Sequence, residues 1–416
     1  MIVALGLLLA AATPDAEIQA AALALKPSVV ELRRELHRHP ELSNREERTG
    51  RLVAEKLRAL GLEVRYPIAR TGAVAILRGG RPGGVVALRA DLDGLPIQEA
   101  SDVAYRSEVP GVMHACGHDA HTAILLGAAE ILASLKDRLP GTVVLLFQPA
   151  EEGAPEGEQG GAALMVKEGA LDDPRVGAVF GLHVGSWAAT GQAGWTDGPI
   201  LASSDTFTIE VQGRSVHGAQ PHQGIDPIPV AAEIVQALQL IVSRQIDTRR
   251  PRVLTIGRIE GGTRFNIIAD RVTMDGTVRA FDPAVRAEIK ARMARTVEGV
   301  AEAHGTTAKL RFLDEGNAPT VNDAALARLA VPSLERVFGP GAVRAEPQMV
   351  AEDFPHYGEK APYFYFLLGT RNEAKGIASI NHTDSFDIDE DALPLGVRAL
   401  VTLAWDYLAR ARPPSP

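Results

Sequence analysis

The chain is poor in cysteine, in long apolar runs and in concentrated positive charge. Cys116 is the only cysteine in 416 residues. No internal disulfide can form, and the redox compartment cannot be read from bridges. The conspicuous apolar run, residues 2–12, is far shorter than the roughly 20 residues that span a bilayer as a helix. No long Lys/Arg run occurs and the formal net charge is −9. These features exclude a nucleic-acid surface and leave no membrane partner to expect.

What remains is an ordinary globular composition, 46% apolar and 23% charged. At 416 residues the chain exceeds what one core supports, so two domains are expected. Residues 2–12 and the following Thr13-Pro14-Asp15-Ala16 resemble the apolar region and cleavage site of a secretory signal, with Ala10-Ala11-Ala12 as the cut. No Lys or Arg precedes the run. Residues 1–16 are expected to be a signal peptide and the protein periplasmic or secreted.

The stretch His114-Ala115-Cys116-Gly117-His118-Asp119-Ala120-His121 collects the sole thiol and three of the eleven histidines. A lone cysteine is often a small core hydrophobe, but crowding of thiol and imidazole points to chemistry. Both suit zinc and its transition-series neighbours. A Cys–His nucleophile pair is the other reading, and the remainder of the chain must decide.

Helical spacing of Val30, Glu31, Arg34 and His37 predicts a helix that begins after Pro27 and ends at His39-Pro40. A second helix is expected over 45–60, capped by Gly61. His37 and His39 lie far upstream of the cluster and read as structural. Short strands follow over 73–77 and 85–88, the second leading to Asp91 and Asp93, which face one way in extended backbone. After the cluster come an apolar helix over 122–135 and a fully apolar strand over 142–147 that runs out into Glu151-Glu152. A strand over 176–182 ends on His183. In open α/β sheets ligands bind outside the carboxyl ends of the strands. Asp91, Asp93, Glu151, Glu152 and His183 therefore gather round one crevice, with the cluster beside it.

From about Gly194 the pattern changes to strand 207–211, helix 228–245, strands 253–259 and 271–280, helix 283–304 and strand 308–313. That order is the split βαβ, or ferredoxin-like, arrangement. Residues 194–313 read as a domain inserted between 17–193 and 314–416. A strand over 363–368 then precedes His382, and a last helix over 393–409 ends the chain. The fold class is α/β, a mostly parallel central sheet flanked by helices with an inserted α+β domain.

Five side chains are candidate metal ligands: Cys116, His118, Glu152, His183 and His382. Five exceed one catalytic zinc and fit two ions better. Glu151 leaves the strand in a different direction from Glu152, so it can take a proton from water and return it to a leaving nitrogen. Asp93 is expected to fix the ring of a ligand histidine, and Asp91 is a second candidate for that task.

These residues lie in motifs that resemble the dinuclear metallopeptidase family of aminoacylase and carboxypeptidase G. Within it they are most similar to the branch of hippurate hydrolases and plant auxin-conjugate amidohydrolases. The resemblance rests on eight motifs in order: Leu36-His37-Arg38-His39-Pro40-Glu41-Leu42, Arg89-Ala90-Asp91-Leu92-Asp93-Gly94-Leu95-Pro96, the cluster from His114 to His121, Gln148-Pro149-Ala150-Glu151-Glu152-Gly153, Gly181-Leu182-His183, Gly213-Arg214-Ser215-Val216-His217, Phe265-Asn266-Ile267-Ile268 and Asn381-His382-Thr383-Asp384. It implies two divalent ions (manganese, zinc, cobalt or nickel) on the five ligands, Glu151 as general base and Asp93 as orienting acid. It implies that the inserted domain is a lid and often a dimer surface, that His217 stabilises the oxyanion, and that Asn266 and Arg279 hold the substrate carboxylate. Most of the wider family has histidine at the position of Asp91 and aspartate at that of Cys116; the branch shares both departures.

The expected activity is metal-dependent hydrolysis of the amide of small N-acyl amino acids. A dipeptidase, aminopeptidase or carboxypeptidase is the nearest alternative, and a cysteine amidase using Cys116 or a non-catalytic binding module are more distant ones. No role falls to His114, His121 or His222.

Overall fold

The computed structural model describes residues 13–313 and 316–411. The apolar run expected to be a leader lies outside them. The chain opens with α1 (Asp15–Arg38) and α2 (Glu47–Ala59). α1 begins well before Pro27, which lies inside it, contrary to the sequence expectation of a start after that proline. Proline removes one helical hydrogen bond, but Ile18, Ala22, Val29 and Leu36 on either side of it are all buried. Packing of that stripe on later helices outweighs the local cost.

Strands β1 (Glu63–Ile68), β2 (Gly72–Arg78) and β3 (Arg81–Asp91) follow, then α3 (His118–Ser134), β4 (Pro140–Gln148), α4 (Gly161–Lys167), β5 (Ala178–Ala189) and β6 (Ala193–Trp195). The chain next enters β7 (Pro199–Leu201), β8 (Asp205–Gln212), α5 (Pro227–Leu240), β9 (Arg252–Gly261), β10 (Arg271–Ala280), α6 (Pro283–Ala303), β11 (Ala308–Phe312) and β12 (Thr320–Val321). It closes with α7 (Ala324–Phe338), β13 (Ala342–Arg344), β14 (Tyr363–Arg371) and α8 (Leu393–Arg410). Both helices of the middle stretch start on Asp-Pro. Asp226 and Asp282 accept the N–H two residues on while the proline sets the first turn.

The chain forms two compact units. The described residues of Met1–Gly198, Asn322–Glu346 and His356–Pro416 make the larger one; Pro199–Val321 and Pro347–Pro355 make the smaller. The larger is built on an eight-stranded sheet, order β1-β2-β4-β3-β5-β14-β6-β13. Its centre, β4-β3-β5-β14, is parallel, while β1, β2 and β6 run antiparallel to their neighbours on the central side. α3 and α8 pack on the central strands, and α1 packs on both helices. α8 is apolar enough to cross a membrane by length and composition, and 78% of it is buried in this core. In the smaller unit β11-β8-β10-β9 form an antiparallel sheet. α5 and α6 close its core, α6 through Val285, Ile289, Met293 and Val297. This is the ferredoxin-like order.

Candidate metal centre

Four stretches of the larger unit deliver the side chains of one centre. β3 and β4 end together, Asp91 opposite Gln148, and the chain beyond them carries Asp93 and Glu151-Glu152. β5 pairs with β3 only as far as Arg89 opposite Gly181 and then continues along β14. His183 therefore lies inside β5, not past its end as the sequence suggested. Its position two residues beyond the last β3 partner leaves that flank open, which does the work of a strand end.

The cluster turns into α3 at Gly117, where φ is +94° and an added Cβ would lie 2.4 Å from Val184 Cγ2. Only glycine meets both demands. α3 starts at His118, earlier than the expected residue 122, so His118 and His121 occupy its first turn. His382 comes from a turn well past β14, with φ +64° and its N–H on the Ala115 carbonyl at 2.8 Å. Asn381 holds that turn in place by donating to the carbonyls of Cys116 (3.0 Å) and Val184 (3.1 Å). Sequence reasoning assigned Asn381 no role; its adjacency to a candidate ligand was the available signal.

Cys116 Sγ lies 3.3 Å from His183 Nε2 and 3.2 Å from His382 Nε2, which is itself 3.1 Å from Glu152 Oε1. Nδ1 of His183 faces the Val184 carbonyl at 2.7 Å, and Nδ1 of His118 faces the Asp93 carbonyl at 2.9 Å and its Oδ1 at 3.2 Å. Carbonyls only accept, so each Nδ1 carries the proton and each Nε2 keeps a lone pair. His118 Nε2 is buried with no hydrogen-bond partner, and Glu152 Oε1 is buried with His382 Nε2 at 3.1 Å. Two donor sets share the thiol, Cys116–His118–His183 and Cys116–Glu152–His382, each with its donor atoms within 4.8 Å of one another. Glu151 Oε2 stands 3.7 Å from His118 Nε2. Buried lone pairs of nitrogen, oxygen and sulfur converging in this way fit a pair of divalent cations, which these residues would hold.

The electrostatics agree. Burial opposes charge on His118, but Asp91, Asp93 and Glu152 override it and push its pKa up to about 10, so the carboxylates favour a positive charge at Nε2 that a cation can supply in place of the proton. Burial, then the carboxylates of Glu152, Glu151 and Asp91, push the Cys116 thiol well above its ordinary value. Such a centre attracts cations, and a bound dication reverses the penalty on the thiolate.

Residues 87–406 match the model of peptidase family M20/M25/M40. The chain belongs to this family. It is 43% identical over 377 residues to thermostable carboxypeptidase 2 of Saccharolobus solfataricus, covering 90% of this chain and 94% of that one. It is 39% identical over 384 residues to the IAA-amino acid hydrolase ILR1-like 4 of Arabidopsis thaliana, covering 91% and 86%. A Bacillus subtilis protein solved as a dinuclear metal-binding peptidase of the M20 family superposes with a TM-score of 0.78 at 34% identity, over 93% of this chain and 99% of its own. The protein is thus a metal-dependent amide hydrolase.

Behind the ligands of this M20 enzyme, His121 ties two strands together. Its Nδ1 lies 2.6 Å from Asp91 Oδ1, and its Nε2 accepts the Val184 N–H at 2.9 Å. Asp91 is also paired with Arg89 at 2.5 Å, and Arg89 reaches Gln148 at 2.8 Å. The N–H groups of Glu151 and Glu152 donate to Asp93 Oδ1 (3.2 Å) and Oδ2 (3.0 Å). His37 Nδ1 lies 2.7 Å from Asp119, which also pairs with Arg33 at 2.8 Å, so this buried group braces α1 against the first turn of α3. His39 sits 3.0 Å from the Glu35 carbonyl. His114 is buried with both ring nitrogens unpartnered, and burial lowers its pKa to about 4.

The other three expected site residues belong to the smaller unit. His217 is exposed, its Nδ1 accepting the Ala219 N–H at 3.1 Å. It is bridged to Ile267, next to Asn266, whose Oδ1 is buried and unpartnered. Arg279 is half-buried on β10, and burial lowers its pKa. His222 is exposed on a short 3-10 turn.

Proposed function

We propose that this enzyme cleaves N-acyl amino acids of the hippurate or N-acetyl kind, releasing a carboxylic acid and a free amino acid. The observation that carries the reading is the convergence of two donor sets on Cys116 Sγ with Glu151 standing beside His118 Nε2. Cys116, His118, Glu152, His183 and His382 would hold two cations, and a sulfur–nitrogen–oxygen set admits manganese, zinc, cobalt or nickel. When bound, the cations supply Lewis acidity toward the amide carbonyl and acidify water. Glu151 takes the proton of the attacking water and returns it to the leaving nitrogen. Asp93 fixes the tautomer of His118 through Nδ1 and holds the Glu151 and Glu152 amides. His217 serves the oxyanion, and Asn266 with the planar fork of Arg279 serves the substrate carboxylate.

Two further elements belong to this reading. A homodimer forms through the smaller unit, where β9 is an edge strand and Ile259 and Phe265 are 55% and 92% exposed. Export follows removal of residues 1–16, which N-terminal sequencing of the mature protein checks.

A panel of acetyl-, benzoyl- and indoleacetyl-amino acids against dipeptides, run with EDTA and with each metal, tests the function. Acylated amino acids should be the better substrates, and EDTA should abolish turnover that manganese or zinc restores. Preference for dipeptides would shift the reading to a peptidase. Activity that survives EDTA would favour a cysteine amidase, against which the upward shift of the Cys116 thiol already argues.

A further inference from the structure

The loop that carries Glu151 is gripped by a segment 105 to 108 residues upstream, on the rough count that separates Glu151 from Ser43–Glu46. Three consecutive amides of the loop point at two buried carboxylates. Ala150 N–H donates to Glu46 Oε1 at 2.8 Å, Glu151 N–H to Asp93 Oδ1 at 3.2 Å and Glu152 N–H to Asp93 Oδ2 at 3.0 Å. The second oxygen of Glu46 accepts the Thr71 hydroxyl at 2.6 Å. Neighbours of Glu46 extend the grip: Ser43 donates to Asp93 at 2.7 Å, and Asn44 donates to Glu158 at 3.0 Å and to the Gln159 carbonyl at 3.2 Å. Ala150 has φ +53°, a left-handed conformation that a non-glycine residue adopts only when its surroundings impose it.

We propose that Glu46 is a positioning residue for Glu151: by accepting the Ala150 N–H it holds Ala150 in the left-handed conformation from which Glu151 projects beside His118. The proposal rests on the reading of Glu151 as general base. Placement at the N-terminus of α2 favours a carboxylate there. Full burial and the neighbouring Asp93 disfavour one, and they push the pKa of Glu46 up to about 7. Strained backbone next to a reacting group is a common way of fixing its direction, and misplacement by about 1 Å can cost roughly 100-fold in rate.

The test is a double-mutant cycle in the full-length, metal-loaded enzyme, with kcat, KM and metal content read for each variant. Glu46→Ala should lower kcat by about 100-fold while KM and metal content stay within about twofold of wild type. Glu46→Gln, whose amide oxygen can still accept from Ala150, should restore kcat to within about fivefold. In a Glu151→Gln background, Glu46→Ala should change kcat by less than about threefold, because residues acting as one unit are non-additive. Unchanged kcat in Glu46→Ala, multiplied losses in the double variant, or metal lost in parallel with activity would each overturn the proposal and leave Glu151 as base. A nearly wild-type Glu151→Gln would overturn the base assignment and this proposal with it. Should Glu46→Ala not fold, Glu46→Leu, which fills the same space without an acceptor for the Ala150 N–H, replaces it in the cycle; there too unchanged kcat or additive losses overturn the proposal.

Discussion

A single methyl group at Gly117 would reach the centre. Its Cβ would stand 2.4 Å from Val184 Cγ2, beside His183, and the residue needs φ +94°. Gly117→Ala should destabilise the protein by roughly 2–4 kcal/mol, the sum of a left-handed penalty and an overpacked contact. Elemental analysis should show metal lost, since the turn places Cys116 and His118 together. Two further substitutions separate holding metal from using it. Cys116→Ala removes the atom common to both donor sets and should leave the purified protein with fewer than two ions. Glu151→Gln should keep both and lower kcat by about 10²–10⁴-fold, the usual contribution of a general base. A Glu151→Gln variant that loses metal would make this residue a ligand instead. At this scale the sequence was informative where chemistry crowds: Cys116, His118, Glu151, Glu152, His183 and His382 do meet. It was silent on Asn381 and Glu46, because partners 25 positions away (Thr71 from Glu46) to 265 positions away (Cys116 from Asn381) leave no local pattern.

Element by element, legibility followed the source of each element's stability. β10 spans the expected 271–280, and α6 follows the expected 283–304 to within a residue, its buried Val285, Ile289, Met293 and Val297 recurring at the helical period that makes such an element readable from its own sequence. α1 was misread at Pro27 because its stability comes from α3 and α8. β5 was cut short at His183 because a strand's length is set by its neighbours, and β14 extends pairing where β3 stops. A tie between elements also yields a pH test. Asp205 at the start of β8 is fully buried and accepts Arg286 at 2.7 and 2.8 Å and Lys290 at 2.8 Å, both from α6. Burial would raise its pKa, but the two cations win and hold it below the usual aspartate value. A depressed folded pKa adds stability above the unfolded value, and that increment disappears as pH falls through the folded one. Asp205→Asn should therefore cost roughly 3 kcal/mol at pH 7, measured by urea unfolding of the smaller unit. The gap to wild type should close as the pH is taken below the ordinary aspartate range. A gap that does not shrink in acid would mean the loss is one of packing.

For the whole molecule, the decisive fact is that the five proposed metal ligands Cys116, His118, Glu152, His183 and His382 all lie in the larger of two units, each with a core of its own. The five ligands come from the turn into α3 and its first residue, β5, the chain after β4 and the turn before α8, so metal closes a loop between segments separated by up to 266 positions, Cys116 to His382. A ligand that binds only the native state stabilises whatever must open to release it, by about 2.7 kcal/mol at 100 times its dissociation constant. That is a slowing of roughly 100-fold in amide exchange for groups that exchange only when the unit opens. Hydrogen exchange read by mass spectrometry, with EDTA and then with manganese or zinc, should show it in peptides from α3, β5 and α8. Peptides from α5, α6 and β8 should exchange at the same rate in both conditions, because none of the five proposed ligands lies in the smaller unit. Equal slowing in both units would mean that they open together, and the two cores would then be one cooperative structure. No slowing in α3 would remove the metal centre itself.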